Sequence, residues 1–145
     1  MKNVLVLGAG ISGLGAAHVL LRHECNVIVS DLKDNIKDKK EKEILQSFGV
    51  VFEFGMQSVE LLDGIDTVVV SPVISAENIV VMEAFKRRIP VISEIELAYR
   101  VTKAPILAVT GTNGKTTTTT LLGSMIGHSS IPVSYTHLRA HETKA

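Results

Sequence analysis

The segment with the most recognisable chemistry is Thr110 to Thr117, which reads Thr-Gly-Thr-Asn-Gly-Lys-Thr-Thr. It follows the apolar run Ile106 to Val109, which is short enough for a buried parallel strand, and it precedes a stretch that can open a helix. In a glycine turn before a helix, backbone N–H groups can approach phosphate oxygens, with Lys115 on the terminal phosphates and the Thr116 hydroxyl on a magnesium ion. The pattern predicts a phosphate-binding loop made of Gly111, Thr112, Asn113, Gly114, Lys115, Thr116 and Thr117.

This loop matches the usual nucleotide-binding pattern only in part. Gly114, Lys115 and Thr116 match its end, but its leading glycine would fall at Val109. The alternative interpretation is a tight turn from a strand into a helix, with Lys115 as a surface lysine.

A second glycine-rich turn lies near the start of the chain. Gly8, Gly10 and Gly13 form a GxGxxG motif that follows the apolar run Val4 to Leu7 and precedes apolar residues at helical spacing. The next apolar run ends in Asp31, 18 residues beyond Gly13. A strand, a glycine turn, a helix and a second strand with a terminal aspartate predict a Rossmann-like nucleotide-binding unit.

The ligand of this second turn is less well defined than its structure. The motif suits a dinucleotide pyrophosphate, but any nucleoside diphosphate offers the same charge to the same helix start. Asp31 could accept a hydrogen bond from a ribose hydroxyl or a base N–H, and Ser71, which follows the apolar run Thr67 to Val70, is a candidate phosphate or ribose contact. The alternatives are that the glycines only permit close packing of the helix on the sheet and that Ser71 is only a turn hydroxyl.

The order of elements predicts an α/β fold, a Rossmann-like parallel sheet with flanking helices. The predicted strands are Val4 to Leu7, Asn26 to Ser30, Val50 to Phe54, Thr67 to Val70 and Pro90 to Ile92. Helices are expected over Asn78 to Arg88 and from Glu94 onward, with Ser93 as N-cap. The charged run Lys33 to Lys42 is expected to be a solvated loop and the outer face of a short helix.

Two domains and a tail are predicted. Lys103 to Pro105 resembles a linker, so residues 1–103 form the first domain, and residues 104–131 supply the first strand, phosphate loop and helix of a second. Residues 132–145 have neither helical nor strand periodicity. From Val133 to Glu142 they correspond codon by codon to the translation of a transposase-type sequencing adapter, so we expect a non-native tail on a truncated gene product.

Composition argues against several classes of protein. The 145 residues are 46% hydrophobic and 21% charged, and their formal net charge is zero. This balance gives no reason to expect nucleic acid or a membrane as a partner. Cys25 is the single cysteine, so no internal disulfide can form, and a cytoplasmic protein is expected. We also expect the protein to be a monomer.

Two glycine loops in this order resemble the Mur ligase family of peptidoglycan synthesis. Gly8 to Gly13, Asp31, Ser71-Pro72 and Ile92 to Leu97 look most like the members that add D-glutamate to UDP-N-acetylmuramoyl-L-alanine. The resemblance implies ATP and Mg²⁺ as cofactors, an acyl phosphate intermediate, Lys115 as the catalytic cation and Thr116 as a magnesium ligand. It also implies that Ile11, Ser12 and Asp31 hold the uridine diphosphate part of the substrate, and that the truncated chain is inactive by itself.

Two other interpretations of the function remain open. A nicotinamide-dependent oxidoreductase would explain GxGxxG and Asp31, but it leaves the loop from Gly111 to Thr117 unexplained. The chain could also be another Mur ligase family member, such as the L-alanine-adding enzyme or a folylpolyglutamate-type synthase. Only the Glu-Ile-Glu-Leu segment, Glu94 to Leu97, argues against this second interpretation.

Overall fold

The computed structural model describes residues 2–34, 36, 39–55 and 57–128. The chain divides into two units, residues 1–103 and 104–145, and each is described by itself. The predicted tail, residues 132–145, and the last three residues of the predicted second domain, 129–131, lie outside the described residues.

The first unit alternates strands and helices. Its strands are β1 (Asn3–Leu7), β2 (Asn26–Asp31), β3 (Val51–Phe54), β4 (Thr67–Val70) and β5 (Val91–Ser93). Its helices are α1 (Ile11–Arg22), α2 (Lys39–Ser47), α3 (Ile79–Lys86) and α4 (Glu94–Val101), with a 3₁₀ helix over Val59–Leu62 between β3 and β4.

All five strands form one parallel sheet in the order β3-β2-β1-β4-β5. The chain moves outward from β1 to β3 and then returns to the other side of β1 to form β4 and β5. The direction of strand order therefore reverses at β1 and β4, and open α/β sheets bind ligands beyond the carboxyl ends of strands at such a point. The predicted fold class, a Rossmann-like parallel sheet with flanking helices, is confirmed.

The central strand explains why helices cover both faces of the sheet. Every residue from Val4 to Leu7 is fully buried. Val4 and Val6 pack in a core with Leu14, Ala17 and Leu20 of α1, whereas Leu5 and Leu7 pack with Leu62, Val80, Val81 and Ala84. Because successive strand residues point to opposite faces, a continuous apolar run needs a core on each side.

Helix α2 begins inside the charged run that we expected to be a solvated loop and the outer face of a short helix. It starts at Lys39 and buries a single residue, Leu45, while Lys39, Lys40 and Glu43 are exposed. Lys42 is partly buried, with its Nζ 4.4 Å from the centre of the Phe54 ring. One buried leucine and a charged outer face are typical of a short surface helix. The mixed charge of this run therefore predicted a solvated surface, but it did not predict the residue at which the helix begins.

Asn78 caps α3 and ties it to a buried glutamine. Its Oδ1 accepts from Val80 N (2.9 Å) and Val81 N (3.4 Å), and its Nδ2 donates to Gln57 Oε1 (2.8 Å). We expect Asn78→Ala to lower the free energy of unfolding by about 1–2 kcal/mol, since it removes the cap and a partner of a buried amide. Urea unfolding measures this, with Asn78→Asp as the matched control because a carboxylate keeps the capping acceptor. A loss as large in Asn78→Asp would contradict the capping role.

The second unit contains one described helix, α5 (Lys115–Gly127). The strand predicted over Ile106 to Val109 is not present: these residues have no regular structure, and Ile106 and Leu107 are 54% and 65% exposed. A strand requires a neighbour for its backbone groups, and no strand is found among the described residues past Ser93. The apolar run was recognised correctly, but the sheet that would bury it is not among the described residues.

The run of threonines lies within α5, although β-branched residues form helices poorly. Thr119 and Thr120 donate their hydroxyls to the carbonyl oxygens of Lys115 and Thr116 at 2.8 and 2.9 Å. These bonds satisfy the hydroxyls within the helix.

None of the helices in the described parts of the chain combines the length and the apolar character needed to cross a bilayer.

Candidate functional site

The first glycine turn joins β1 directly to α1. Gly10 is the N-cap of α1, and the first bond of the helix runs from Leu14 N to Gly10 O at 3.0 Å. The amides of Ile11, Ser12 and Gly13 precede this bond and therefore have no acceptor within the helix. The first turn of α1 carries no acidic residue, and the Ile11 side chain is 95% exposed. The helix start is accessible and suits an anion.

Gly13 provides the space that this turn needs. A Cβ on Gly13 would lie 1.9 Å from Gly8 O and 3.0 Å from Gly8 C, so the turn passes directly over the first turn of the helix. Gly8 has φ +107°, a conformation that other residues rarely adopt, and a Cβ there would lie 2.9 Å from the Ser71 Cβ. The close-packing role left open for these glycines is therefore present in the fold, and it does not exclude ligand binding.

Asp31 holds the glycine turn in place. Its Oδ2 accepts from Ala9 N at 2.8 Å and its Oδ1 accepts from Lys33 N at 3.3 Å. Ala9 is buried, so this carboxylate satisfies an amide that water cannot reach. Asp31 lies beside the turn, as its place at the end of β2 predicted, and both of its oxygens accept from backbone amides.

Ser71 lies at the same edge of the sheet. Its amide donates to Leu7 O at 3.0 Å, which fixes the start of the β4 loop beside the end of β1. The structure thus brings together Gly8, Gly10, Ile11, Ser12, Gly13, Asp31 and Ser71, at the carboxyl edge of the sheet where the strand order reverses.

Glu94 also lies at this edge of the sheet, and no site role was predicted for it. It begins α4 directly after β5, and its Oε1 atom is buried without a hydrogen-bond partner among the described residues. Burial raises the pKa of the Glu94 carboxyl above its ordinary value, against a smaller opposing effect from the Ser71 hydroxyl. The predicted Ser93 N-cap, which accepts from Glu96 N at 3.1 Å, could have located Glu94 at the carboxyl end of a strand.

The loop of the second unit also ends at a helix start. Gly114, with φ +76°, is the N-cap of α5, and Thr118 N donates to Gly114 O at 2.9 Å. The amides of Lys115, Thr116 and Thr117 therefore lack helical acceptors, and no acidic residue occupies the first turn. This geometry suits an anion, as the first glycine turn does.

Lys115 lies back over its own loop. Its Nζ donates to Gly111 O at 2.5 Å and to Thr112 O at 3.3 Å, so the ammonium group is held close to the loop backbone. Gly111, Thr112, Asn113, Thr116 and Thr117 are exposed. An incoming phosphate could exchange with the two carbonyl oxygens as the partner of Lys115.

The donor set at this loop is compatible with magnesium only when phosphates take part. Within the described residues, no group of three or more histidine, cysteine, aspartate or glutamate side chains could hold a metal ion. Mg²⁺ commonly keeps several waters and takes one or two protein ligands together with substrate phosphates. The exposed Thr116 hydroxyl could supply one such ligand, with phosphates and waters as the rest.

Most of the first unit matches a known protein family. Residues 2–93 match the family described as Mur ligase MurD-like, N-terminal domain.

Curated relatives extend the similarity beyond the first unit. UDP-N-acetylmuramoylalanine-D-glutamate ligase of Oceanobacillus iheyensis is 42% identical over 132 residues, which is 91% of this chain and 29% of that protein. The ligase of the same name from Caldanaerobacter subterraneus is 47% identical over 124 residues, 86% of this chain and 28% of that protein. Because the first unit holds 103 residues, such matches must continue into the second. The chain spans less than a third of the length of these relatives.

Solved structures show the same architecture. A pseudomurein peptide ligase type C from Methanothermus fervidus superposes with a TM-score of 0.55 and 29% identity, covering 96% of this chain and 28% of that one. UDP-N-acetylmuramate-alanine ligase MurC from Thermotoga maritima gives 0.56 and 25% identity, covering 88% and 29%. A murein peptide ligase from Psychrobacter arcticus, 22% identical with a TM-score of 0.64, shares the fold.

Proposed function

This chain belongs to the family of MurD-like Mur ligase N-terminal domains, and we propose that it is part of an ATP-dependent ligase that adds D-glutamate to UDP-N-acetylmuramoyl-L-alanine. The observation that carries the proposal is an accessible, acid-free helix start at the point where the strand order reverses, inside the segment that matches this family. Such a ligase would act in the cytoplasm, in peptidoglycan synthesis.

The first unit would bind the uridine diphosphate part of the substrate. The amides of Ile11, Ser12 and Gly13 would face the diphosphate, and Gly8 and Gly10 would let it approach the backbone. Ser71 would add a hydroxyl contact from the neighbouring strand. Asp31 would keep the turn in shape through Ala9, and its Oδ1, which accepts from Lys33 N at 3.3 Å, would also accept from the nucleoside.

The second unit would supply the triphosphate loop of the whole enzyme. The substrate carboxylate would attack the γ-phosphorus of ATP, forming an acyl phosphate and releasing ADP. The amine of D-glutamate would then attack the acyl carbon and displace phosphate. Residues 111–117 would hold the phosphates, with Lys115 offsetting charge on the transferred group. When bound, Mg²⁺ would neutralise phosphate charge, and Thr116 would be one of its ligands.

Residues outside this chain are needed for the remaining steps. The chain spans 28–29% of the relatives named above, so we expect the D-glutamate site to be formed by the remaining part of such an enzyme. We therefore expect the 145-residue chain to bind nucleotide without catalysing amide formation.

Calorimetric titration with UDP-N-acetylmuramoyl-L-alanine and with NAD tests the proposed first site. We expect the UDP-sugar to bind and NAD to give no heat of binding, because the family match is to Mur ligases. Binding of NAD without a response to the UDP-sugar would reverse the assignment and favour an oxidoreductase.

The product of the uninterrupted gene tests the choice among family members. It should release ADP only when D-glutamate and the UDP-substrate are both present. ADP release that requires L-alanine in place of D-glutamate would assign the chain to a different member of the family.

A further inference from the structure

Exposed apolar side chains follow three neighbouring strands at the carboxyl edge of the sheet. They are Ile11 at the start of α1, Leu32 directly after β2, and Val73 in the loop after β4, and they are 95%, 62% and 73% exposed. Single exposed apolar residues are common on protein surfaces, but several beside one anion-binding helix start are typical of a ligand site. Because β1 lies between β2 and β4, a ligand at the glycine turn would meet apolar surface on both sides of its anionic group.

The loop after β4 holds Val73 in a fixed turn. Ser71 N donates to Leu7 O at 3.0 Å, which fixes the start of the loop to the central strand. Ile74 N donates to Ser71 O at 3.0 Å and closes a β-turn with Pro72 at its second position, where the fixed φ of proline is favourable. Ile74 is partly buried against the core, whereas Val73 beside it is exposed. The Val73 side chain is therefore presented to solvent by a turn that is anchored underneath.

The far end of the same loop is fixed as well. Asn78 N donates to Ser75 O at 3.0 Å, and Glu77 N donates to Ser75 Oγ at 3.1 Å. The Asn78 side chain donates to Oε1 of the buried Gln57 at 2.8 Å, which joins this loop to the one after β3. Binding to a loop that is already ordered costs little conformational entropy. An apolar contact made by Val73 would therefore add to affinity without a large opposing cost.

The order of the strands indicates which part of a nucleotide sugar would reach Val73. In the proposed function, the nucleoside lies beside Asp31 at the end of β2 and the diphosphate lies at the start of α1, after β1. The next strand is β4, and neighbouring strands are about 4.8 Å apart, so β4 lies about 10 Å from β2. The group attached to the second phosphate therefore extends toward the loop that carries Val73. In a nucleotide sugar that group is the sugar.

We propose that Val73 is a specificity-determining residue that contacts the apolar substituents of the sugar, so that the site favours a nucleotide sugar with acyl groups over one that carries only hydroxyl groups. This inference rests on the proposed function of the first unit. In UDP-N-acetylmuramoyl-L-alanine the apolar substituents are the methyl groups of the acetamido, lactyl and alanyl parts. Contact between a methyl group and Val73 removes apolar surface of both from water, whereas a hydroxyl in that place would lose hydrogen bonds to water.

The test is calorimetric titration of the 145-residue chain with UDP-N-acetylmuramoyl-L-alanine, with UDP-glucose, in which hydroxyls replace the acetamido and lactyl groups, and with UDP. Val73→Thr replaces one exposed methyl group by a hydroxyl of similar size. We expect it to weaken binding of the acylated sugar at least about fivefold and to leave UDP and UDP-glucose within about twofold of the wild type. Because each ligand is compared between two proteins of equal charge, the different charges of the ligands do not affect the result.

Two further variants separate contact with the sugar from an effect on the loop. Val73→Ile keeps a β-branched apolar side chain and should bind the acylated sugar as the wild type does. Val51→Thr is the matched control, because Val51 is an exposed valine at the amino end of β3, away from the carboxyl edge, and its replacement should change no affinity.

Three results would overturn the inference, and they differ in what they leave standing. Unchanged binding of the acylated sugar to Val73→Thr would remove the contact and leave the proposed UDP site in place. An equal loss of affinity for all three ligands would show that Val73 only shapes the loop. Failure of the wild-type chain to bind any of the three ligands would remove the inference and the proposed UDP site together.

Discussion

Gly13→Ala is expected to destabilise the first unit by about 2–3 kcal/mol or more and to abolish detectable binding of the UDP-sugar. The added Cβ would lie 1.9 Å from the carbonyl oxygen of Gly8 and 3.5 Å from Val6 Cγ1. The nearest atom belongs to the backbone of the turn, so it cannot rotate away as the end of a side chain could. Relief would require the turn to move off the helix start, which displaces the amides that would bind the diphosphate.

Gly15→Ala is the matched control for Gly13→Ala. Gly15 lies two residues further along α1, is exposed, and has no heavy atom within 4 Å of an added Cβ. Alanine in an exposed helix interior should stabilise the protein by about 0.5–1 kcal/mol relative to glycine. Urea unfolding followed by circular dichroism gives both values. A Gly13→Ala protein as stable as the wild type would show that the turn is not fixed against the helix.

The sequence predicted the first unit well because its signals are local. A continuous apolar run such as Val4 to Leu7 requires burial on two faces, and GxGxxG requires a turn that crosses a helix start. Both properties are set by neighbouring residues. Strands β1 and β2, β2 and β3, and β4 and β5 lie side by side as such crossover units predict, whereas the return of the chain from β3 to the other side of β1 follows from no local pattern.

Features that depend on distant residues were not predictable in the same way. The placement of Ser71 and Glu94 at one edge of the sheet follows from the pairing of Val70 with Ser93, and no local pattern encodes that register. In the sequence, Glu94 and Glu96 differ only in their phase on a helix. In the structure one has a buried oxygen and the other pairs with Arg100.

The run Ile106 to Val109 shows the opposite case, in which a local signal is present without the partner that it requires. Its apolar residues suit a buried strand, yet a strand is stabilised by neighbouring strands and not by its own sequence. The helix that follows forms regardless, because its hydrogen bonds are internal and its threonines bond to carbonyl oxygens one turn earlier. Sequence therefore predicted α5 more reliably than the strand before it.

Asp31→Ala is expected to lower the free energy of unfolding by about 1–3 kcal/mol, because it leaves the buried amide of Ala9 without an acceptor. We also expect it to weaken UDP-sugar binding at least about tenfold, since the turn is then no longer held in the shape that exposes the α1 amides. Urea unfolding and calorimetric titration measure the two effects separately.

Asp31→Asn separates the structural role of this residue from direct contact with the ligand. Its amide oxygen can still accept from Ala9 N, so stability should stay close to that of the wild type. If Asp31 acts through the turn alone, binding should survive in Asp31→Asn. If Oδ1 also accepts from the nucleoside, binding should weaken while stability is retained. Glu53→Ala, which removes an exposed carboxylate from the neighbouring strand β3, controls for loss of charge and should leave both quantities unchanged. Wild-type stability in Asp31→Ala would mean that the bond to Ala9 does not hold the turn, and the glycine loop would then have to be fixed by Gly13 and Ser71 alone.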